Sequence, residues 1–471
     1  RHPADPHCLG FPPVTDDDAA ARKAAEQRLR ADGSSEQAVA AFLDAFDRLT
    51  AGDTGTLPES ELEPLTGLPD AADLDGDPGD ALSRVLVIKL NGGLGTSMGL
   101  TGPKSLLVVK DGHSFLDLTA RQIIGLRGRT GVAVPLVLMD SFATRAQSLA
   151  ALAPHGRLSG DLEPDFLQNR VPKLDAITHA PVDHPAQESL TWAPPGHGDF
   201  FPAVAGSGML AAARSAGYRW AFVSNIDNLG ATLDPAILAH VADSGLPFVM
   251  EVADRTSADR KGGHLARRVS DGGLVLREVA QTPAADSDAF ADIRRHRYFN
   301  TNSIWIDLDA IAALLAERGA LGLPMIVNHK TVDPGDPGST PVLQLETAMG
   351  AAIGVVPGAA ALRVPRSRFL PVKSTNDLLV LRSDAYTLDQ AELNLAAGRG
   401  SAPEVDLSNP YKLLGDFENR FSFGAPSLIE ARSLTVRGDV RWGRDVVVRG
   451  SVTVDAAVQG PAIADGSLLE G

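Results

Sequence analysis

An apolar run, Val85–Leu90, leads straight into the fifteen-residue stretch LNGGLGTSMGLTGPK (90–104), and this junction constrains the fold more than any other feature of the chain. The run's branched residues suit a pleated, buried strand. The stretch after it carries Gly92, Gly93, Gly95, Gly99 and Gly102, then Pro103 and Lys104. Glycines without Cβ let the backbone approach an anion and turn its N–H groups inward, and a lysine supplies the countercharge. That is chemistry for holding a polyphosphate. A P-loop would end in Gly-Lys-Ser/Thr, whereas this loop ends in Gly-Pro-Lys-Ser. The G-x-G-x-x-G spacing of a dinucleotide fold is also missing, because Gly93 and Gly95 are followed by Met98.

Downstream, apolar runs alternate with helical spacing. Val85–Leu90, Ala133–Met139, Ala221–Ser224, Phe248–Glu251 and Ile304–Ile306 read as strands; Ser114–Arg127, Ser141–Leu152, Pro202–Ala216 and Pro235–Asp243 read as helices. Such alternation predicts an α/β fold with a mostly parallel sheet between helical layers. Ligands in such sheets bind beyond the carboxyl ends of the strands. Both the glycine loop and the NID triplet (225–227) after Ala221–Ser224 fall there.

Residues 1–80 are expected to form a helical leader and linker. Asp16–Leu49 has helical spacing with Ser34-Ser35 as break and cap, and Ala51–Asp80 is rich in Gly, Pro, Asp and Glu. Residues 81–400 are expected to form the main domain and 401–471 a third part. There Leu428, Leu434, Val440, Val446, Val452 and Val458 recur every six residues, with Gly438 and Gly450 near corners. This period fits a hexapeptide β-helix, and a meander of short antiparallel strands could mimic it.

A formal net charge of −16 argues against a nucleic-acid surface, which needs a basic face. An acidic protein that binds phosphates must gather its cations locally. The chain has nine lysines against thirty-four arginines, so a lysine in a glycine- or proline-rich loop stands out for its compact charge. Lys104, Lys261 and Lys373 are such lysines, with a solvated surface role as the plain alternative for each. Cys8 is the only cysteine, which leaves no intrachain disulfide and no cysteine-ligated metal site. The chain opens Arg-His-Pro-Ala-Asp, without an apolar signal segment or an initiator methionine, so an incomplete or processed start is expected. The longest apolar stretch, Ala348–Leu362, is broken by Pro357 and is too short for a bilayer. A soluble cytoplasmic protein with no membrane partner is the expectation.

LNGGLGTSMGLTGPK fits the nucleotide-sugar pyrophosphorylase pattern L-x2-G-x-G-T-x-M-x4-P-K at every fixed position. The chain resembles the eukaryotic-type UTP–glucose-1-phosphate uridylyltransferase (UDP-glucose pyrophosphorylase) family. The resemblance continues through PPGHGDFF, FVSNIDNLGATLD, ADRKGGHL, FNTNSIWIDL, IVNHKTVD, LQLETAMGAAIG and VPRSRFLPVKSTNDLL. It implies a three-layer nucleotide-diphospho-sugar transferase domain with a mixed, Rossmann-like sheet and a C-terminal left-handed β-helix. In relatives that last domain contributes to oligomer contacts, so a homo-oligomer is a possible state; this chain is expected to end sooner than eukaryotic relatives, so their oligomeric state is not carried over.

The implied reaction converts UTP and α-D-glucose 1-phosphate to UDP-glucose and pyrophosphate. The attacking phosphate oxygen is already anionic and needs no general base, so positioning, Mg²⁺ and lysines do most of the catalysis. Asp227, just past a strand, offers Mg²⁺ a hard oxygen; a helix N-cap is its structural alternative. The resemblance implies that Lys104 meets the triphosphate and that Lys373 neutralises the α-phosphate, with Lys261 as a further cation. For UTP it points to Leu90, Asn91, Gly92, Gly93, Gln168 and Gly196 along with Lys104, Asp227 and Lys373. A glutamine amide offers a donor and an acceptor side by side, as a uracil edge requires. The segment FLQNRVPKL departs from the family's commoner F-N-Q-S-R-Y-P-R at Leu167, Asn169 and Val171. For the sugar phosphate it points to His197, Asn225, Ile226, Asp227, Glu278 and Asn300. The pair Asn300 and Asn302 could equally cap or turn the chain. A rival reading keeps the chemistry and changes the sugar, to galactose 1-phosphate or N-acetylglucosamine 1-phosphate. Another is a catalytically silent nucleotide-sugar sensor.

Overall fold

A computed structural model describes residues 16–184, 187–256 and 259–471, so Cys8 lies outside the described residues. The chain packs as two compact units. One comprises the described residues up to Arg84, with Phe166–Phe222 and Pro235–Val364; the other comprises Val85–Asp165, Val223–Asp234 and Pro365–Gly471.

In the first unit the leader forms two helices, Asp16–Ala31 and Glu36–Thr50. Ser35 caps the second, its side chain accepting the Ala38 N–H, as its place before an amphipathic run predicts. Phe42, Leu43 and Phe46 from that helix share a core with Val171, Leu174, Trp192, Met325, Leu343 and Leu345. The acidic, proline-rich segment that follows contributes a strand, Leu62–Pro64, antiparallel to His264–Arg268. The unit's sheet is mixed. Phe248–Asp254 runs antiparallel to Tyr298–Asp307 and parallel to Ala360–Arg363, while His264–Arg268 is antiparallel to Leu274–Arg277. The mostly parallel sheet expected from alternation is therefore corrected here. Helix–strand alternation cannot tell a crossover from a hairpin between long strands. The helix expected over Pro202–Ala216 is split into Phe200–Gly206 and Met209–Ser215 by Gly208 at φ 83°.

In the second unit Val85–Asn91 pairs in parallel with Leu136–Asp140. The end of Trp220–Asn225 lies on its other side, where Ile226 N–H donates to Leu90 O at 3.2 Å. Helix Phe115–Thr130 follows, closed at its start by a Ser114–Asp117 capping box and at its end by Gly131 at φ 71°. The C-terminal strands Glu404–Leu407, Ser427–Arg437, Val447–Asp455 and Leu468–Glu470 pair only in parallel, which an antiparallel meander cannot produce. Leu428, Leu434, Val440, Val446 and Val452 point into the core as the six-residue period requires. Val458 does not: it is 82% exposed on the short helix Ala456–Gln459. These strands share one core with Met98, Leu107, Phe115 and Val372.

Candidate active site

In the second unit, the glycine stretch turns as soon as its strand ends. Gly95 takes φ 63°, a left-handed conformation costly for any residue with a Cβ, and a Cβ there would also press on Leu100 Cδ1 at 2.7 Å. Lys104 N–H donates to Gly93 O at 3.0 Å and closes the loop. The Lys104 side chain then reaches Asp227, Nζ to Oδ2 at 2.5 Å, with 16% and 20% of the two side chains exposed. Asp227 is therefore paired with a cation, and the helix N-cap alternative is not what the structure shows at this residue.

The segment 365–373 crosses the NIDNLG turn closely enough to exclude a side chain at Gly230, whose Cβ would overlap Ser367 O. Asn228, 2% exposed, fastens the two. Its Nδ2 donates to Arg368 O at 3.1 Å, and its Oδ1 accepts the Leu370 N–H at 2.8 Å. Pro371 bridges Asn228, so exposed Lys373 follows two residues beyond a partner of Asp227's neighbour. The Lys373 ammonium lies 5.8 Å from the centre of the Phe369 ring. Leu90, Asn91, Gly92, Gly93, Lys104, Asn225, Ile226, Asp227 and Lys373 thus belong to one unit, joined through these bonds.

Sequence reasoning missed the supports beneath this set. Lys89 is 3% exposed, and its ammonium donates to Ser224 Oγ at 2.8 Å and Ala231 O at 2.7 Å. Gln122 Nε2 holds Leu229 O at 3.0 Å. Asp140 accepts from Asn91 Nδ2 at 2.7 Å. A lysine inside an otherwise apolar strand, and an aspartate closing one, were the available signals.

The first unit holds the other expected residues. Gly196 takes φ 77°, and a Cβ there would overlap Thr347 O. Thr347 N–H donates to Pro195 O at 2.9 Å, and Met349 N–H donates to His197 Nδ1 at 2.9 Å. Burial pushes the His197 imidazole pKa down to about 4. The residue is nonetheless exposed to solvent, so burial is the weaker argument for a neutral ring, and the stronger one is that a nitrogen accepting a hydrogen bond carries no proton. Its Nε2 is left as the hydrogen-bond donor.

Half-buried Gln168 precedes Asn169, whose backbone N–H and Nδ2 donate to the two oxygens of Asp199 at 2.6 and 2.8 Å. The FLQNR and PPGHGD loops are joined through that carboxylate. Burial pushes the Asp199 pKa up to about 7, while the Asn169 bonds pull it down. Arg170 pairs with Asp32 and lies over the Trp192 ring at 4.5 Å.

Asn300, 8% exposed, donates its N–H to Gly263 O at 3.1 Å and accepts the Asn302 N–H on Oδ1 at 2.9 Å. The asparagine pair does turn the chain, with Asn302 at φ 57°. Gly263 also admits the Glu278 carboxylate, whose Oε1 would lie 2.5 Å from a Cβ there. Gly350, one residue past Met349, faces Asn300 Nδ2 in the same way at 2.9 Å. His197, Asn300 and Glu278 are therefore linked through the segment 347–350 and Gly263. Lys261 is exposed in the turn before Gly262. Among the described residues no three His, Cys, Asp or Glu side chains form a metal cluster. No described helix is long and apolar enough to cross a membrane.

The family model described as UTP–glucose-1-phosphate uridylyltransferase matches residues 39–449. The UTP–glucose-1-phosphate uridylyltransferase of Solanum tuberosum is 40% identical over 434 residues, covering 90% of this chain and 89% of that one. The Hordeum vulgare enzyme of the same name is 39% identical over 450 residues, 93% of each chain. A solved structure of UDP-glucose pyrophosphorylase from Leishmania major, an S374W mutant in complex with UDP-glucose, superposes with a TM-score of 0.91. It is 41% identical and covers 96% of this chain and 98% of that one.

Proposed function

The chain belongs to the UTP–glucose-1-phosphate uridylyltransferase family and has that activity, and from this premise we propose how its residues divide the work. The observation that carries the proposal is the Lys104–Asp227 pair, which joins the glycine loop to the NID turn. The backbone of Leu90–Gly93 receives the nucleotide, and Lys104 turns from Asp227 to the triphosphate. Lys373 supplies positive charge at the α-phosphate, where charge builds as the sugar-phosphate oxygen attacks in line and pyrophosphate leaves. Neither lysine transfers a proton.

A single exposed-edge carboxylate fits Mg²⁺, which commonly takes one or two carboxylates and fills its other positions with phosphate oxygens and water. Asp227 would hold it, and the ion would supply charge neutralisation between the two polyanions. Gln168 and Gly196 are assigned to uracil. His197 Nε2–H, Asn225, Ile226, Glu278 and Asn300 are assigned to the sugar phosphate.

The 81–400 part is read as a three-layer transferase domain. The parallel strands within 401–471 are read as a left-handed β-helix that carries homo-oligomer contacts, and residues 1–80 as a leader. A cytoplasmic setting completes the reading.

Pyrophosphate release assayed over a panel of sugar 1-phosphates tests the substrate, with glucose 1-phosphate expected to be turned over fastest. Asp227→Ala and Lys373→Ala are each expected to lower kcat by roughly 10²-fold or more, the scale of losing one preorganised charge. Full activity in either variant would remove that residue from the chemistry.

A further inference from the structure

Asn91 ends the glycine-loop strand, and its register partner on the neighbouring strand is Asp140. The two residues are 1% and 0% exposed. Asn91 Nδ2 donates to Asp140 Oδ1 at 2.7 Å and to Ser148 Oγ at 2.8 Å. Thr144 Oγ1 donates to the same Asp140 oxygen at 3.1 Å. Two buried atoms of this pair have no partner among the described residues: Asp140 Oδ2 and Asn91 Oδ1. Both are acceptors if the carboxyl is ionised, and an unmet buried acceptor carries its full desolvation penalty. A carboxylic acid and a primary amide already joined by one N–H···O bond can form a second bond in the opposite sense, O–H···O. A single proton on Asp140 would give both orphaned oxygens a partner. Rotating the amide by half a turn would instead set its oxygen against Asp140 Oδ1, which again requires a proton on the acid.

We propose that Asp140 is a neutral carboxylic acid whose Oδ2–H donates to Asn91 Oδ1, and that this two-point pair positions the glycine loop for the nucleotide. Asp140 is a positioning residue, and the role rests on the assignment of the loop to UTP made above. The same turn grips the loop a second time: Ser141 Oγ donates to Gly92 O at 3.0 Å, and Thr144 Oγ1 accepts the Ser141 N–H at 2.9 Å. Burial pushes the Asp140 pKa up to about 6; hydrogen bonds from Thr144, Asn91 and Ser148 oppose the rise, and the Asp165 carboxylate adds to it. Arg145 pairs with Asp165 at 2.7 Å. An O–H···O bond available only to the acid form raises the value further. Raising the pH through this titration removes the proton, opens the pair and loosens the loop.

Asp140→Asn places an amide N–H where the acid has its O–H, whereas Asp140→Ala removes both bonds. In steady-state assays of the full chain, Asp140→Ala is expected to raise the KM for UTP roughly tenfold, the factor for about one net hydrogen bond. The parent is expected to show a rise in KM at alkaline pH, and Asp140→Asn is expected to stay within about twofold of the parent at neutral pH and to lack that rise. A KM in Asp140→Asn matching that of Asp140→Ala would overturn the proposal. Infrared difference spectra of the folded parent against Asp140→Asn at neutral pH give a readout independent of activity. A carboxylic-acid C=O band is expected, and its absence sinks the neutral acid even if Asp140→Ala fails to fold. If the band is present while Asn91→Ala leaves the KM for UTP unchanged, the positioning role is overturned, whereas the loop's assignment to UTP, which rests on the backbone of Leu90–Gly93, is unaffected.

Discussion

Asp199 lies behind the loops it serves, as Asp140 does, and its consequences are set by burial. Its carboxyl is shifted from the ordinary 3.8 to about 7 by desolvation. The folded state therefore favours the neutral acid, and the group lowers stability as pH rises from 3.8 to about 7, with no further loss above that window. Asp199→Ala should flatten the stability-versus-pH curve in that window, read by urea unfolding at a series of pH values. It should also raise the KM for UTP several-fold, because Asn169, next to Gln168, loses both its acceptors. An unchanged pH curve would show that the carboxyl is not desolvated in solution. Asp199 stands in PPGHGD, so its motif was legible in the sequence while its role was not. Spacing identifies which residues are near one another along the chain. It does not reveal that a carboxylate 30 residues from Asn169 accepts that residue's backbone and side-chain donors.

At the scale of elements, glycines mark where one backbone passes against another. Gly230 has no room for a Cβ because Ser367 O occupies its place. Gly230→Ala should push the 365–373 segment away, breaking the Asn228 bonds to Arg368 and Leu370 that guide the chain toward Lys373. Overpacking of this kind costs about 1–3 kcal/mol. A lowered midpoint in denaturant, together with a fall in kcat larger than any change in KM, is the expected outcome. Normal kinetics would mean the crossing does not place Lys373. The strand ending in the glycine loop and the strand ending in NID could be read from apolar runs, because both are buried on their two faces. The direction of pairing in the first unit could not, since parallel and antiparallel neighbours bury similar side chains. The six-residue period located the C-terminal strands and failed only at Val458, which lies on a helical turn.

The whole molecule carries net charge −16, and the cations proposed above to meet the phosphates are individual lysines set in loops. Each unit has its own core, and the leader belongs to one of them. Phe46, 1% exposed, packs in the core that holds Trp192 and Leu343. Phe46→Ala should cost roughly 3–5 kcal/mol, seen as an earlier unfolding transition by tryptophan fluorescence. An unchanged transition would make the leader dispensable to the first unit. The sequence by itself determined the reaction, because LNGGLGTSMGLTGPK, NID and PPGHGD are local strings that carry the family resemblance, while their residue types alone indicated a loop able to hold a polyphosphate. Tertiary structure alone decided which groups support them: Lys89 under the NID turn, Asp199 behind Asn169, and Asp140 against Asn91. Those pairings depend on register and burial, and a buried polar group is specified by the partner that satisfies it, wherever in the chain that partner lies.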